Sequence, residues 1–142
     1  MGRSGYSDDC EGWEFIMWRG AVASAIRGRR GQRFLRKLLA ALDALPEKRL
    51  IAHELEMDGE VCAIGSVGKM HGVDMSNIDP TEATEVADAF DVSPALVKEI
   101  AFVNDDWEWH ATPEKRFEVV RAWVVKQIIP AARVLESQRE PK

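Results

Sequence analysis

Arg27, Arg29, Arg30, Arg33, Arg36 and Lys37 put six cations into eleven residues, R-G-R-R-G-Q-R-F-L-R-K, with no acid among them. Guanidinium groups grip phosphates and carboxylates through paired N–H donors in a way that an ammonium does not match. Arginine outnumbers lysine five to one here, so the chemistry on offer is the binding of an anion. With Arg19, seven bases and no acid lie between Phe15 and Leu42, in a chain whose formal net charge is −5. The rest of the molecule holds twelve bases against 24 acids. Charge divided this sharply predicts one surface that meets nucleic acid, a phosphate or an acidic protein face. The plainer alternative is a solvated arginine face answered by the chain's own acids.

The other reactive residues lack a productive spacing. Gly65-Ser66-Val67-Gly68-Lys69-Met70 approaches a phosphate-binding loop, but its first glycine would fall at Ala63 and Met70 replaces the required Ser or Thr. Cys10, Cys62, His53, His71 and His110 follow no metal-ligand spacing. A Cys62 thiolate with His53 or His71 as its base would make a nucleophile, yet Cys62 lies in an apolar run that suits a buried thiol. Asn104-Asp105-Asp106-Trp107-Glu108 offers carboxylates without the order of a cation loop, and reads as a solvated acidic stretch. No catalytic residue, metal or cofactor is therefore expected, and the chain reads as a binding protein and not as an enzyme.

Helices must position the cations. Asp8 and Glu11 read as an N-cap and its partner, opening a helix to about Arg27 with Trp13, Ile16, Met17, Ala21, Ser24 and Ile26 at helical spacing. The run Gly20-Ala21-Val22-Ala23 would permit a close helix–helix approach. Gly28 and Gly31 break the pattern, and a second helix over residues 32–45 carries Phe34, Leu35, Leu38, Leu39, Leu42 and Leu45. Residues 8–45 thus form a helical hairpin with the arginines at its bend. Residues 49–55 and 60–63, split by Met57-Asp58-Gly59, suit a small β-hairpin, while a helix over 46–55 competes. A short, tightly packed helix over residues 62–71 and a loop over 74–80 follow.

Asp79-Pro80 opens a helix to about Phe90, and Ser93-Pro94 another to about Val103. Residues 104–111 form a loop, and Thr112-Pro113-Glu114 starts a long helix with Phe117, Val120, Val124 and Ile128 in register. Pro130 kinks or ends it, and residues 138–142 fray, so the C-terminal helical region spans 112–138. The five tryptophans cluster at 13 and 18 and at 107, 109 and 123, which suggests that the two ends pack together. The expected fold is a mainly α single-domain helical bundle over residues 1–142.

Within residues 80–103, T-E-V-A-D-A-F-D-V-S-P-A-L-V-K-E-I resembles the helix-turn-helix of bacterial DNA-binding proteins. Val86, Ala87, Phe90, Val92, Val97 and Ile100 occupy its packing positions, and Asp91 stands where that family usually has Gly. Charge opposes DNA reading. Residues 54–110 hold fourteen acids against Lys69 and Lys98, and the second helix presents Ala95, Lys98 and Glu99, none suited to base edges.

With 142 residues, 46% hydrophobic and 30% charged, the chain suits an ordinary globular domain. M-G-R-S-G-Y-S-D-D lacks the apolar core of a signal peptide, and no run reaches a membrane span, which predicts a cytosolic protein with no membrane partner. Cys10 and Cys62 fit free thiols there. G-Y-S-D-D-C, W-R-G-A-V-A-S-A-I-R-G-R-R-G-Q-R-F-L, P-E-K-R-L-I, T-P-E-K-R-F and A-W-V-V together resemble an uncharacterised family of small proteins from phages and prophages of proteobacteria. That resemblance implies a genomic setting, in a bacterial host cytoplasm, and no mechanism. Small phage accessory proteins as a class commonly bind a host or rival machine, which tilts the expectation toward a host protein or nucleoprotein complex as partner and an inhibitor, host-takeover or anti-defence role. The runner-up is a DNA-binding regulator. A homodimer joining the acidic half of one copy to the bend of another is also compatible with the charge.

Overall fold

Caps and turns fix most of the element boundaries. The structure, a computed structural model, describes residues 3–6, 12–106 and 112–130. Six helices and one two-stranded hairpin follow in chain order: α1 Gly12–Arg27, α2 Arg29–Ala44, β1 Glu56–Met57, β2 Glu60–Val61, α3 Ala63–His71, α4 Ala83–Phe90, α5 Pro94–Asp105 and α6 Pro113–Gln127. Asp8, Cys10, Glu11, Trp107, Glu108, Trp109, His110 and the segment 131–142 lie outside the described residues. The protein is a mainly α-helical single-domain bundle carrying a small antiparallel β-hairpin.

At the centre lies α2. It buries Phe34, Leu35, Leu38, Ala41 and Leu42 and makes its broadest contact with α3, packing also on α6 and α1. Leu50, Leu55, Ile64, Val86, Leu96, Ile100, Val120 and Val124 complete one continuous apolar core. The helix starts early because Gly28 takes the extended N-cap position and Arg29 is already helical. Gly31 therefore does not break the helix. A Cβ there would stand 1.7 Å from the Ala25 carbonyl oxygen, so this glycine lets α1 and α2 touch backbone to backbone.

The hairpin forms, but it is shorter and later than the apolar run suggested. Asp58 and Gly59 both have positive φ, 53° and 82°, the turn that a two-residue antiparallel loop demands. Glu56 pairs Val61 and Met57 pairs Glu60. Residues 49–55 are neither strand nor helix, since the Leu50 N–H goes to the Pro113 carbonyl at 3.1 Å and the Ile51 N–H to Val61 at 2.9 Å. In α3, Cys62 is the N-cap and its Sγ accepts the Gly65 N–H at 3.4 Å.

Ser93 caps α5 and Thr112 caps α6, each followed by proline at the first turn. Asp79-Pro80, by contrast, does not open α4. The Asp79 carboxylate closes a turn onto the N–H and hydroxyl of Thr81, and the helix begins at Ala83. Between α4 and α5, Asp91 adopts the left-handed conformation at φ 53°, a state that aspartate tolerates better than most residues. Val86, Ala87, Phe90, Val92, Val97 and Ile100 are all buried where these two helices meet.

The stripe on α1 faces the other way from expectation. Only Val22 is buried on this helix, with Ala25 and Ile26 partly packed, while Trp13, Ile16, Met17, Ala21 and Ser24 all face solvent. Among the described tryptophans, Trp13 is 74% exposed, Trp18 stacks edge-on against Tyr6 and Trp123 enters the core, while Trp107 and Trp109 lie outside the described residues.

Candidate anion-binding site

A single residue, Gly28, joins α1 to α2, and the predicted cations surround it. The Gly28 N–H still bonds to the Ser24 carbonyl at 3.0 Å, and its own carbonyl accepts the Gln32 N–H at 2.9 Å. The bend is thus hydrogen-bonded from both sides. Gln32, one turn into α2, is buried and clamps it further. Its Nε2 donates to Ile26 O at 2.7 Å and to Gln127 O at 3.1 Å, and its Oε1 accepts the Ile129 N–H at 2.8 Å. One amide therefore ties the end of α1 to the end of α6. Its place in a run of basic residues disguised that role in the sequence.

Arg27, Arg29, Arg30, Arg33, Arg36 and Lys37 are all exposed. Arg27 Nε reaches the Ala23 carbonyl of its own helix at 3.4 Å, and Arg36 Nη2 donates to Ile129 O at 2.6 Å. Arg30 stands 3.9 Å from Asp91, with both side chains more than half exposed, a pair that water and salt screen. Arg29, Arg33 and Lys37 meet no carboxylate or carbonyl among the described residues. All six expected cations are thus exposed, on the last residue of α1 and the first nine residues of α2.

The arginines elsewhere behave differently. Arg3 donates Nη2 to Asp105 at 2.9 Å, and Arg19 grips both oxygens of buried Glu99 at 3.0 and 3.2 Å while lying over the Trp18 ring. Arg49 is paired with Glu47 and Glu60, Arg121 is bidentate to Asp43, and Arg116 donates to the carbonyls of Asn104 and Leu50. So among the described residues every arginine outside the bend is engaged by a carboxylate or a buried carbonyl. Inside it, one long exposed contact is the only carboxylate partner among the described residues.

Helix dipoles add little net field here. The carbonyl end of α1 and the N–H end of α2 meet at the same junction, and their partial charges of opposite sign largely offset. Arg27 complements the carbonyl end of α1, whereas Arg29, Arg30 and Arg33 oppose the N–H end of α2. Any attraction for an anion there would come from the guanidiniums themselves. Nearby, Glu82, Glu85, Asp88 and Asp91 recur every third residue and all are exposed, so the acidic surface begins beside Arg30.

The remaining chemical candidates have structural occupations. Cys62 is fully buried, capping α3 with Arg3 Nη1 3.5 Å from its sulfur. His53 meets Asp105, not the thiol, through its N–H at 3.1 Å and its Nδ1 at 3.6 Å. Gly65, Ser66 and Gly68 are buried inside α3 and form no phosphate cradle; the Ser66 hydroxyl donates to the Ala63 carbonyl. Asn104 and Asp105, read from the sequence as loop, belong to α5 and its buried end. The Asn104 side chain accepts the Ala63 N–H and donates to Ile51 O and Asp105. Burial pushes the Asp105 carboxyl up, but hydrogen bonding and charge from Arg3, with Asn104 and the His53 N–H, outweigh it and hold Asp105 below the usual carboxylate range.

No helix among the described residues is long and apolar enough to cross a membrane. No family model, curated protein or solved structure matches the chain.

Proposed function

We propose that this is a non-enzymatic binding protein of phage origin that docks its arginine bend on an anionic surface of a host macromolecular machine in the bacterial cytoplasm. The observation that carries the reading is that Arg29, Arg33 and Lys37 meet no carboxylate or carbonyl among the described residues, whereas every described arginine outside the bend does. Five of the six cations there have no carboxylate partner among the described residues. Arginine side chains held together on a fixed corner repel one another, and an external phosphate or carboxylate relieves that repulsion. The phage setting rests on the sequence resemblance alone, and an inhibitory or anti-defence role rests on that setting.

The test is affinity capture from host lysate, with and without nuclease, using the native protein and Arg29→Glu/Arg30→Glu. The native protein retains a partner that the double variant loses, while the thermal transition of the two agrees. Partners that survive nuclease are acidic protein surfaces; partners lost with it are nucleic acid. Equal capture by the variant would sink the proposal.

A DNA-binding regulator is the second reading. The left-handed Asp91 between α4 and α5 and the buried inner face of that pair favour it. Against it, α5 turns Glu99 inward and exposes only Lys98 as a base, beside the acidic row on α4. Duplex binding that weakens steeply with salt would support this reading, and a flat gel shift at low ionic strength would dispose of it.

A further inference from the structure

The exposed face of α2 divides its cations into a crest and two flanks. Arg29, Arg33 and Lys37 stand four residues apart, so they form one row that advances about 6 Å per step and about 12 Å in all. All three are exposed, and none meets a carboxylate or carbonyl among the described residues. Arg30 and Arg36 lie on either side of that row, and each turns to a neighbour. Arg30 faces Asp91 just past α4, and Arg36 donates to the Ile129 carbonyl beyond α6. The free charge is therefore narrow, one line of three side chains. It is also short, since Ala40 and Ala44 follow on the same face.

We infer, on the basis of the anion-docking role proposed above, that the partner is an acidic helical segment of another protein. Its carboxylates recur every fourth residue and pair one to one with Arg29, Arg33 and Lys37. A carboxylate row at positions i, i+4 and i+8 has the same step as the cation row. Two rows of this kind run parallel when their helices cross at about −50°. Arg29 and Arg33 can then each take both oxygens of one carboxylate, and Lys37 makes a single contact.

Nucleic acid fits the crest less well. A duplex carries one charge per about 1.7 Å, hence roughly seven phosphates along a length that holds three free cations. The surplus would face Glu82, Glu85, Asp88 and Asp91, exposed beside Arg30, in a chain of net charge −5. Single strands gain much of their affinity by stacking on aromatic rings. No aromatic ring is exposed on α2, where Phe34 is buried. Nor does α2 offer an amide to base edges, because Gln32 is turned inward. A helix with three carboxylates leaves no surplus charge to be repelled.

Exposed ion pairs each contribute little, so a minimal ligand should bind with a dissociation constant on the order of millimolar. NMR titration of the ¹⁵N-labelled full chain at about 20 mM salt suits so weak a contact and also locates it. The probes are an Ala/Gln-based helical peptide with Glu at i, i+4 and i+8, a peptide of the same composition with its three Glu spread around the helix, and a short mixed-sequence DNA, duplex or single-stranded. The first peptide should shift the amide signals of residues 29–37, and the second should bind several-fold more weakly. Arg29→Gln/Arg33→Gln should weaken the first peptide by about fivefold or more, with the native melting temperature retained. Lys126→Gln, which removes an exposed cation from α6, should leave it unchanged. Equal binding of the two peptides overturns the inference, because the spacing would then carry no weight. DNA that binds the same residues more tightly than the first peptide also overturns it, and the anion-docking reading then stands with nucleic acid as its ligand. No shift at residues 29–37 with any probe overturns both.

Discussion

The Gln32 side-chain amide donates to the Gln127 carbonyl at 3.1 Å, so the residue just behind the arginine bend is tied to the last turn of α6. The same amide also serves Ile26 and Ile129. Replacing it leaves three backbone groups without that partner.

Gln32→Ala should therefore destabilise the fold by about 1–3 kcal/mol, the usual cost of stranding buried polar groups. Urea unfolding followed by circular dichroism reads this. A loss below about 0.5 kcal/mol, typical of surface substitutions, would mean that water replaces the amide freely.

Gly31→Ala and Gly20→Ala should act in opposite directions. At Gly31 the new methyl would collide with the Ala25 carbonyl, and overpacking of this kind costs about 1–3 kcal/mol. At Gly20 the methyl enters open space, and the gain in helix preference should stabilise the fold by roughly 0.5–1 kcal/mol. Urea unfolding of each variant beside the native protein reads both signs.

Arg19 and Arg33 also divide by role. Arg19→Ala strands Glu99, which is 7% exposed, with the Tyr6 hydroxyl at 2.8 Å as its one remaining side-chain partner among the described residues. A loss of about 1–3 kcal/mol is expected, less than for a fully buried pair because Arg19 is itself partly exposed. Arg33→Ala should change stability by less than about 0.5 kcal/mol. Comparable losses for the two would imply that the bend arginines hold the fold together.

Acid should weaken the protein through Asp105. Its carboxyl lies below its ordinary value when folded, so the stability it supplies is complete above the unfolded pKa of about 3.9 and is lost as pH falls through the folded one. Asp105→Asn leaves Arg3 buried without its counter-charge and should cost about 3–5 kcal/mol at pH 7. The gap between variant and native protein should narrow below about pH 4, as the native carboxylate takes up its proton. A gap that is constant from pH 7 to pH 3 would refute the assignment.

Features that the chain encodes locally were legible in the sequence. Ser93-Pro94 and Thr112-Pro113 announced two helix starts, Met57-Asp58-Gly59 the hairpin turn, and the leucine spacing of α2 the core. Asp79-Pro80 misled because the same residues close a turn onto Thr81 equally well. The orientation of α1 was not legible: periodicity reveals an apolar stripe but not which way it points. Gly31 looked like a helix breaker because a close backbone approach leaves no trace in one chain's spacing. The cations themselves were plain from composition. What held them, Gln32 reaching to α6, depended on a contact spanning 95 positions.

Because one residue, Gly28, joins the two helices and both sides of it are hydrogen-bonded, the guanidiniums project from a preorganised elbow. A ligand arriving there would restrict side-chain rotamers alone, with no backbone ordering to oppose association. Such a contact should form quickly, and its lifetime should depend mainly on how many guanidiniums the ligand can satisfy at once.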